Sequence, residues 1–326
     1  MVQENPLKQL PILNTGKGKR TSRGIARTEL EKMQIAAHLR TVQIEIAGIP
    51  NWMTPERQEQ IRTLIDNQQQ WMWSVLGIDA RAKIQHLGME RKIKFFHPAE
   101  WRKIEQQFSE GIEIHGLQMP VDHTILVEDK SHETGKNQEL NTLNHELTHA
   151  ISRQTVHING PGYTSFPESK LNGFQNMGER AGRGVFEYFN EILTEAIHVE
   201  TLRYLHAQQG KYIWPYTSLP YSKGMVILGL IIEKMAERIG KSPEQLKLDF
   251  YRAYYTGDYT ILKQLHSVFG LQAIRALAKI KPSAESSPNA IIALGKTFGI
   301  PEQVCAQRLS SLHARQPVQV FPGIQF

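Results

Sequence analysis

The pentapeptide His145-Glu146-Leu147-Thr148-His149 constrains this chain more than any other stretch. Residues four apart share one face of a helix, so both imidazoles can converge on one metal ion while Glu146 turns toward its open side. The segment Asn190-Glu191-Ile192-Leu193-Thr194-Glu195 offers a carboxylate as third ligand, leaving a fourth position for water. The surroundings agree with a helix: Leu140, Leu143, Leu147 and Ile151 recur at helical spacing, giving an apolar face beside the one that carries the histidines. Just upstream, Thr124-Ile125-Leu126-Val127-Glu128 reads as a short strand, and Gly135 punctuates the loop between strand and helix.

HELTH and NEILTE resemble the HExxH and NExx(S/T)(D/E) motifs of the thermolysin-like gluzincins, a group of zinc metallopeptidases. The resemblance covers residues 120 to 200 and rests on short motifs. It implies that His145, His149 and Glu191 bind zinc and that Glu195 hydrogen-bonds one of the zinc histidines. The first histidine and the third ligand are 46 residues apart, which is longer than thermolysin-like enzymes use. With the ExxxEA run from Glu191 to Ala196, that spacing looks more like the catalytic domain of anthrax-lethal-factor-type toxins. In those domains a tyrosine lies seven residues before the ligand glutamate, whereas this chain has Gly184 there. The group that would stabilise an oxyanion therefore has to come from elsewhere, among Tyr163, Tyr188, Tyr216 and Tyr221. Tyr221 is favoured, because Pro215 to Tyr221 forms a Pro-bounded turn entering a helix, from which a side chain can reach a cleft.

Glu187, Glu191 and Glu195 stand four apart and share one drifting helical stripe. Any adjacent pair could act as ligand and supporting acid. The Asn190-Glu191 dipeptide and the Thr194-Glu195-Ala196 ending favour Glu191 and Glu195. His198, three residues further on, reads as an ordinary partly buried histidine. Zinc suits imidazole and carboxylate donors and lowers the pKa of bound water toward about 7. Glu146 is then placed as the general base. The expected activity is zinc-dependent hydrolysis of peptide bonds by an endopeptidase, with a protein or peptide as substrate. A toxin-type effector protease is a more specialised form of the same expectation. The alternative is a non-proteolytic zinc-binding interaction module, which would normally require a fourth protein ligand such as cysteine. The lone Cys305 lies in a remote segment.

At 326 residues and 40% hydrophobic, the chain is long enough for a sizeable core and one or two domains. A single cysteine excludes an internal disulfide framework. The formal net charge is +6, and residues 1–40 supply +5 of it through eight Lys and Arg against Glu4, Glu29 and Glu31. The stretch from Gly16 to Gly24 has no apolar residue to bury and is expected to be disordered. This basic tail reads as a solvated extension, or more sharply as an element that docks on an anionic surface or a delivery apparatus. The nearly neutral body carries no basic stripe, so nucleic acid is not expected as the main partner. Met1 to Gly16 holds no hydrophobic signal core, and the longest apolar run, Met225 to Ile232, is too short to cross a bilayer. The expectation is a soluble protein, cytoplasmic as made, with any export independent of a cleavable signal peptide.

The resulting fold class is α+β: a zincin-like unit with a small mixed sheet and the HExxH helix, then a mainly helical C-terminal lobe. The boundaries expected are 1–40 for the tail, 41–215 for the catalytic subdomain and 216–326 for the helical lobe. Strands are expected at Thr41–Ile46, Lys92–Phe96 and residues 124–128, the last as the sheet edge beside the cleft, where an extended peptide adds as a further strand. Helices are expected from Pro55 to about Leu76 and over Trp101–Phe108. Residues 155–185, with six glycines, read as a surface loop and lid. Helices then run over 221–239, 243–255, 258–269 and 271–280, broken at Gly240, Gly257 and Gly270. Ser283 to Pro288 reads as a linker, Ile291 to Leu312 as two helical segments, and Pro317 to Phe326 as an irregular tail.

Overall fold

The computed structural model describes Ile12 and Leu13 and residues 51, 53–108, 115–118, 123–129, 138–152, 154–159, 166–173, 175–176, 185–209 and 220–314. The expected strand Thr41–Ile46, most of the basic tail, Tyr163, Tyr216 and the tail from Pro317 lie outside the described residues. The chain divides into two compact units, Met1–Asn172 with Tyr204–Trp214, and Gly173–Arg203 with Pro215–Phe326. The architecture is α+β, mostly helical with a small mixed sheet.

In the first unit, helix α1 (Pro55–Trp71) starts where the sequence provides a start. Thr54 is extended, its hydroxyl accepts from the Arg57 amide at 3.2 Å, and Pro55 occupies a position whose amide would lack a partner anyway. The helix continues into a π-helical turn, Met72–Leu76, which Gly77 ends in the left-handed conformation (φ 69°). Short helices α2 (Arg81–Leu87) and α3 (Met89–Lys92) lead to strand β2 (Ile93–Phe96) and helix α4 (Pro98–Phe108). Strands β3 (Gly116–Gln118) and β4 (Ile125–Glu128) follow, and then helix α5 (Gln138–Ile151), which carries HELTH.

The three-stranded sheet has the order β2-β4-β3, with β2 parallel and β3 antiparallel to β4. Here the expectation for residues 124–128 is corrected: among the described residues β4 is the middle strand, with β2 and β3 at the two edges. All of Ile125, Leu126 and Val127 are buried, as a strand paired on both sides and covered by helices must be. Phe96, Trp101, Ile104 and Leu126 form the core beneath α4, and α5 packs on β3 and β4. Arg57 and Asp129 make a buried ion pair at 2.5 Å, with the guanidinium also 4.7 Å from the Phe95 ring centre.

Residues expected to form a glycine-rich surface loop instead contain strands β5 (Gln154–Asn159), β6 (Phe166–Asn172) and β7 (Gln175–Asn176). β5 and β6 pair antiparallel, with a register shift between Thr155 and Val156. A second sheet has the order β1-β5-β6-β7, its first strand, β1, being Ile12–Leu13, parallel to β5. The glycines fall mainly in the connections, while the segments between them keep enough β-favouring residues to pair.

Apart from β7, the described residues of the second unit are mainly helical. It comprises α6 (Glu187–Gln209, continuing past the unit boundary), α7 (Ser222–Ile239), α8 (Pro243–Thr256), α9 (Thr260–Lys279), α10 (Pro288–Thr297) and α11 (Glu302–Ala314). Gly240 and Gly257 close α7 and α8 in the left-handed conformation, each at φ 68°, and Gly270 kinks α9 at φ 80° and ψ 174°. All three breaks fall where the sequence sets them. Ser242-Pro243 and Ser287-Pro288 start α8 and α10, each serine hydroxyl accepting from an amide three residues on. Met225, Leu228, Ile231, Ile232 and Met235 make the buried stripe of α7, against which α8, α10 and α11 pack. The expected linker Ser283–Pro288 is another correction. Pro282–Ser286 is a 3₁₀ turn with Ala284 buried, and its acid, Glu285, is bonded to the start of α7. Among the described residues no helix is long and apolar enough to cross a membrane.

Candidate metal centre

His145 and His149 project from successive turns of α5, and Glu191 from the first turns of α6. One ligand atom from each lies within 4.8 Å of the others. The two Nε2 atoms are 3.2 Å apart, with the rings nearly perpendicular at 70°. Two zinc–nitrogen bonds of about 2.0–2.1 Å at a tetrahedral angle separate their nitrogens by about 3.3 Å, so the imidazole pair has the spacing that a tetrahedral ion requires. The donor set of two imidazoles and one carboxylate can therefore hold a metal ion. It is partly accessible, His149 being buried and His145 and Glu191 half-buried.

The other acids separate cleanly. Glu187 pairs with Lys281 at 2.7 Å and is taken up at the surface. Glu195 is fully buried, one turn beyond Glu191 on the same helix. Glu146 is half-buried and lies against the edge strand β3, where a Cβ on Gly116 would stand 2.9 Å from its Oε1. His198 is fully buried on α6.

Behind the ligands, both motifs carry the same device. Asn144 and Thr148 flank His145 and His149 in sequence, as Asn190 and Thr194 flank Glu191 and Glu195. Thr148 Oγ1 donates to the Asn144 carbonyl at 2.9 Å, and Thr194 Oγ1 donates to the Asn190 carbonyl at 2.9 Å. Each hydroxyl is then held from outside its helix. Gln68 Nε2 donates to Thr148 Oγ1 at 3.0 Å, and to the carbonyl and side-chain oxygens of Asn144, also at 3.0 Å. The Tyr254 hydroxyl lies 2.8 Å from Thr194 Oγ1 and acts as donor, because the threonine proton is used on Asn190. All of these residues are buried. Gln68 and Tyr254 escaped the sequence reading; the repeated Asn-x-x-x-Thr beside the ligands was the available signal.

The C-terminal end of α5 is fixed twice more. Lys83 Nζ donates to the carbonyls of Ile151 (2.5 Å) and Ser152 (2.7 Å), a cation at the negative end of the helix. The fully buried His123, in the left-handed region at φ 63°, lies 2.9 Å from the Ala150 carbonyl through Nδ1. Burial, and after it the charges of Lys83 and Lys92, lower its pKa to about 3. It is therefore neutral with its proton on Nδ1.

Of the four tyrosines considered as oxyanion donors, two are described. Tyr188 is buried and its hydroxyl donates to Glu285 Oε2 at 2.5 Å. Burial, followed by that bond, pushes its pKa well above the usual range. Its proton is committed to Glu285. Tyr221 is half-buried, immediately ahead of α7, with its ring 6.1 Å edge-on from Tyr188. Glu285 accepts from the Lys223 amide (2.7 Å) and the Gly224 amide (3.0 Å), so the start of α7 beside Tyr221 is pinned.

The chain matches no family model, and neither curated proteins nor solved structures give a match. What the site defines is a class: a chain with a His-His-Glu group that can hold a metal ion.

Proposed function

We propose that this chain is a zinc-dependent endopeptidase with a zincin-like, gluzincin-type active centre. The observation that carries the reading is the convergence of His145, His149 and Glu191 within 4.8 Å, with Glu146 in the same turn as His145. Zinc bound there would polarise a carbonyl group and lower the pKa of water toward about 7. Glu146 takes a proton from the attacking water and returns it to the leaving amine, a general acid–base role worth about 10²–10⁴-fold in rate. Glu195 holds one of the ligand histidines in its tautomer and orientation. Tyr221, on the pinned start of α7, supplies the donor to the developing oxyanion. Among the described residues β3 stands at an edge of its sheet beside Glu146, where an extended polypeptide could add as a further strand, which favours a peptide or protein substrate.

The test compares new protein N-termini in a lysate treated with wild type and with Glu146→Ala, alongside zinc content. Cleavage by wild type alone, with zinc retained in both, is the expected result. Cleavage of one protein with casein left intact would give the toxin-type effector form. Stoichiometric zinc in both with no new termini would instead favour a non-proteolytic zinc-binding module.

A further inference from the structure

We infer that Gly116 is a positioning residue for Glu146, an assignment that rests on the metallopeptidase reading above. Among the described residues β3 lies at an edge of its sheet and pairs with β4 through Gly116 with Val127, Leu117 with Leu126 and Gln118 with Ile125. Helix α5 packs on this strand. Gly116 does not occupy the left-handed region that usually explains a glycine, as Gly77, Gly240 and Gly257 do. What it provides is space. A Cβ at this position would stand 2.5 Å from Thr142 Cγ2 and 2.9 Å from both Cγ and Oε1 of Glu146. Thr142 and Glu146 are four apart on α5 and so line one face, and the bare Cα of Gly116 sits over that face.

Other close-packed glycines meet different groups. A Cβ on Gly224 would strike Ile192 and the Tyr188 hydroxyl, and one on Gly295 would strike Cys305 and Ile227. Those are packing requirements within the helical unit. Gly116, by contrast, meets the acid of the HELTH motif. Any side chain here forces a choice: the Glu146 carboxylate swings off its place, or α5 steps back from the strand and takes His145 and His149 with it. Because the ligands are on the same helix and the carboxylate is at the end of a flexible side chain, the carboxylate yields first. The main-chain approach of β3 thus fixes where Glu146 sits.

The experiment uses Gly116→Ala, Thr142→Ser and their combination in the full-length protein. Thr142→Ser removes the methyl that makes the closest clash, so the double variant isolates the contact with Glu146. Metal content, melting temperature, kcat and KM are measured on a peptide that wild type cleaves. Gly116→Ala should keep stoichiometric zinc and a KM close to wild type while kcat falls on the order of 10²-fold, the scale of a 1 Å misplacement. Thr142→Ser should match wild type, and the double variant should regain melting temperature but not kcat. Recovery of kcat in the double variant, or no loss in Gly116→Ala, would overturn the assignment. If Gly116→Ala does not fold, the double variant alone decides by the same kcat criterion. A second readout needs no turnover. The visible absorption of the Co²⁺-loaded protein reports the polar groups around the ion, and Gly116→Ala should shift it as Glu146→Gln does. Should wild type bind Co²⁺ and cleave nothing, the peptidase reading fails while this spectrum still decides on Gly116. An unshifted spectrum overturns the positioning role, and a chain that binds no Co²⁺ overturns both.

Discussion

Gln68 holds Asn144 by two oxygens at once: its side-chain amide lies 3.0 Å from both the carbonyl and the side-chain oxygen of Asn144, and 3.0 Å from Thr148 Oγ1. The residue after Asn144 and the residue after Thr148 are the two histidines of the candidate metal centre. One amide reaching from α1 thus shares its two protons among three buried acceptors on α5, which ties this turn of the helix to α1. A metal site demands that fixation, because donor atoms have to be held to fractions of an ångström before the ion arrives.

Replacing Gln68 therefore tests how the ligand helix is held. Gln68→Met fills similar volume but leaves buried acceptors without their donor, and should lower unfolding free energy by about 1–3 kcal/mol. Gln68→Glu should be worse, because it puts carboxylate oxygens against carbonyl and hydroxyl oxygens in a buried place. Urea unfolding of the three proteins at neutral pH checks the order. If Gln68→Glu is as stable as Gln68→Met, the clamp is misassigned.

The acids on α6 should separate by their effect on metal. Glu191→Ala and His145→Ala should lose zinc, and Glu195→Gln should weaken zinc affinity by about 10–100-fold. Glu187→Gln should leave affinity unchanged, since Glu187 is paired with Lys281 at the surface. Competition with a chromophoric chelator measures all four. Full affinity in Glu191→Ala would remove the third ligand from the site.

His123 predicts a pH dependence. Its pKa is near 6.5 in the unfolded chain and about 3 in the folded protein, so the unfolded chain binds the extra proton between these values. Stability from this residue is present above pH 6.5 and is lost as pH falls toward 3. Between pH 7 and pH 5 the loss should be about 2 kcal/mol. His123→Asn retains an amide donor and tolerates the left-handed backbone, so its stability should fall less over the same interval. Parallel stability curves for the two proteins, measured in urea at constant ionic strength, would refute this.

What the sequence disclosed and what it hid follow from the range of the forces involved. HELTH, the strand before it and the glycine-terminated helices α7 and α8 were legible because helical periodicity, capping and ligand spacing are local. The preference for Glu191 over Glu187 was legible from its neighbours, and it is Glu191 whose carboxylate groups with the two imidazoles in a set that could hold a metal ion. The edge strand was misassigned because β4 has the stronger apolar pattern, whereas β3 is three residues long and its place depends on which side of β4 was free. Glu285 was hidden in a polar, Pro-bounded stretch. Its role exists only because the start of α7 lies 61 residues away in sequence, at Gly224. Gln68 and Tyr254 were invisible for the same reason, as both act across distances in sequence of 60 residues or more.

Glu285 ties the start of α7 to Tyr188. Its carboxylate accepts from the Tyr188 hydroxyl and from the amides of Lys223 and Gly224, while Lys223 Nζ donates to the Glu285 carbonyl at 2.8 Å. The first four amides of a helix, Lys223 and Gly224 among them here, have no partner within it, and the positive end of the helix favours a negative charge. Glu285→Gln keeps one acceptor oxygen but turns an amide donor toward groups that are themselves donors. Tyr188→Phe removes only one of those donors. In a double-mutant cycle the pair should therefore couple by about 0.5–3 kcal/mol, with Glu285→Gln less damaging in the Tyr188→Phe background. The readout is unfolding free energy for the four proteins. Additive losses would mean that Tyr188 and Glu285 do not hold the start of α7 jointly, and Tyr188 would then return as a candidate donor to the oxyanion.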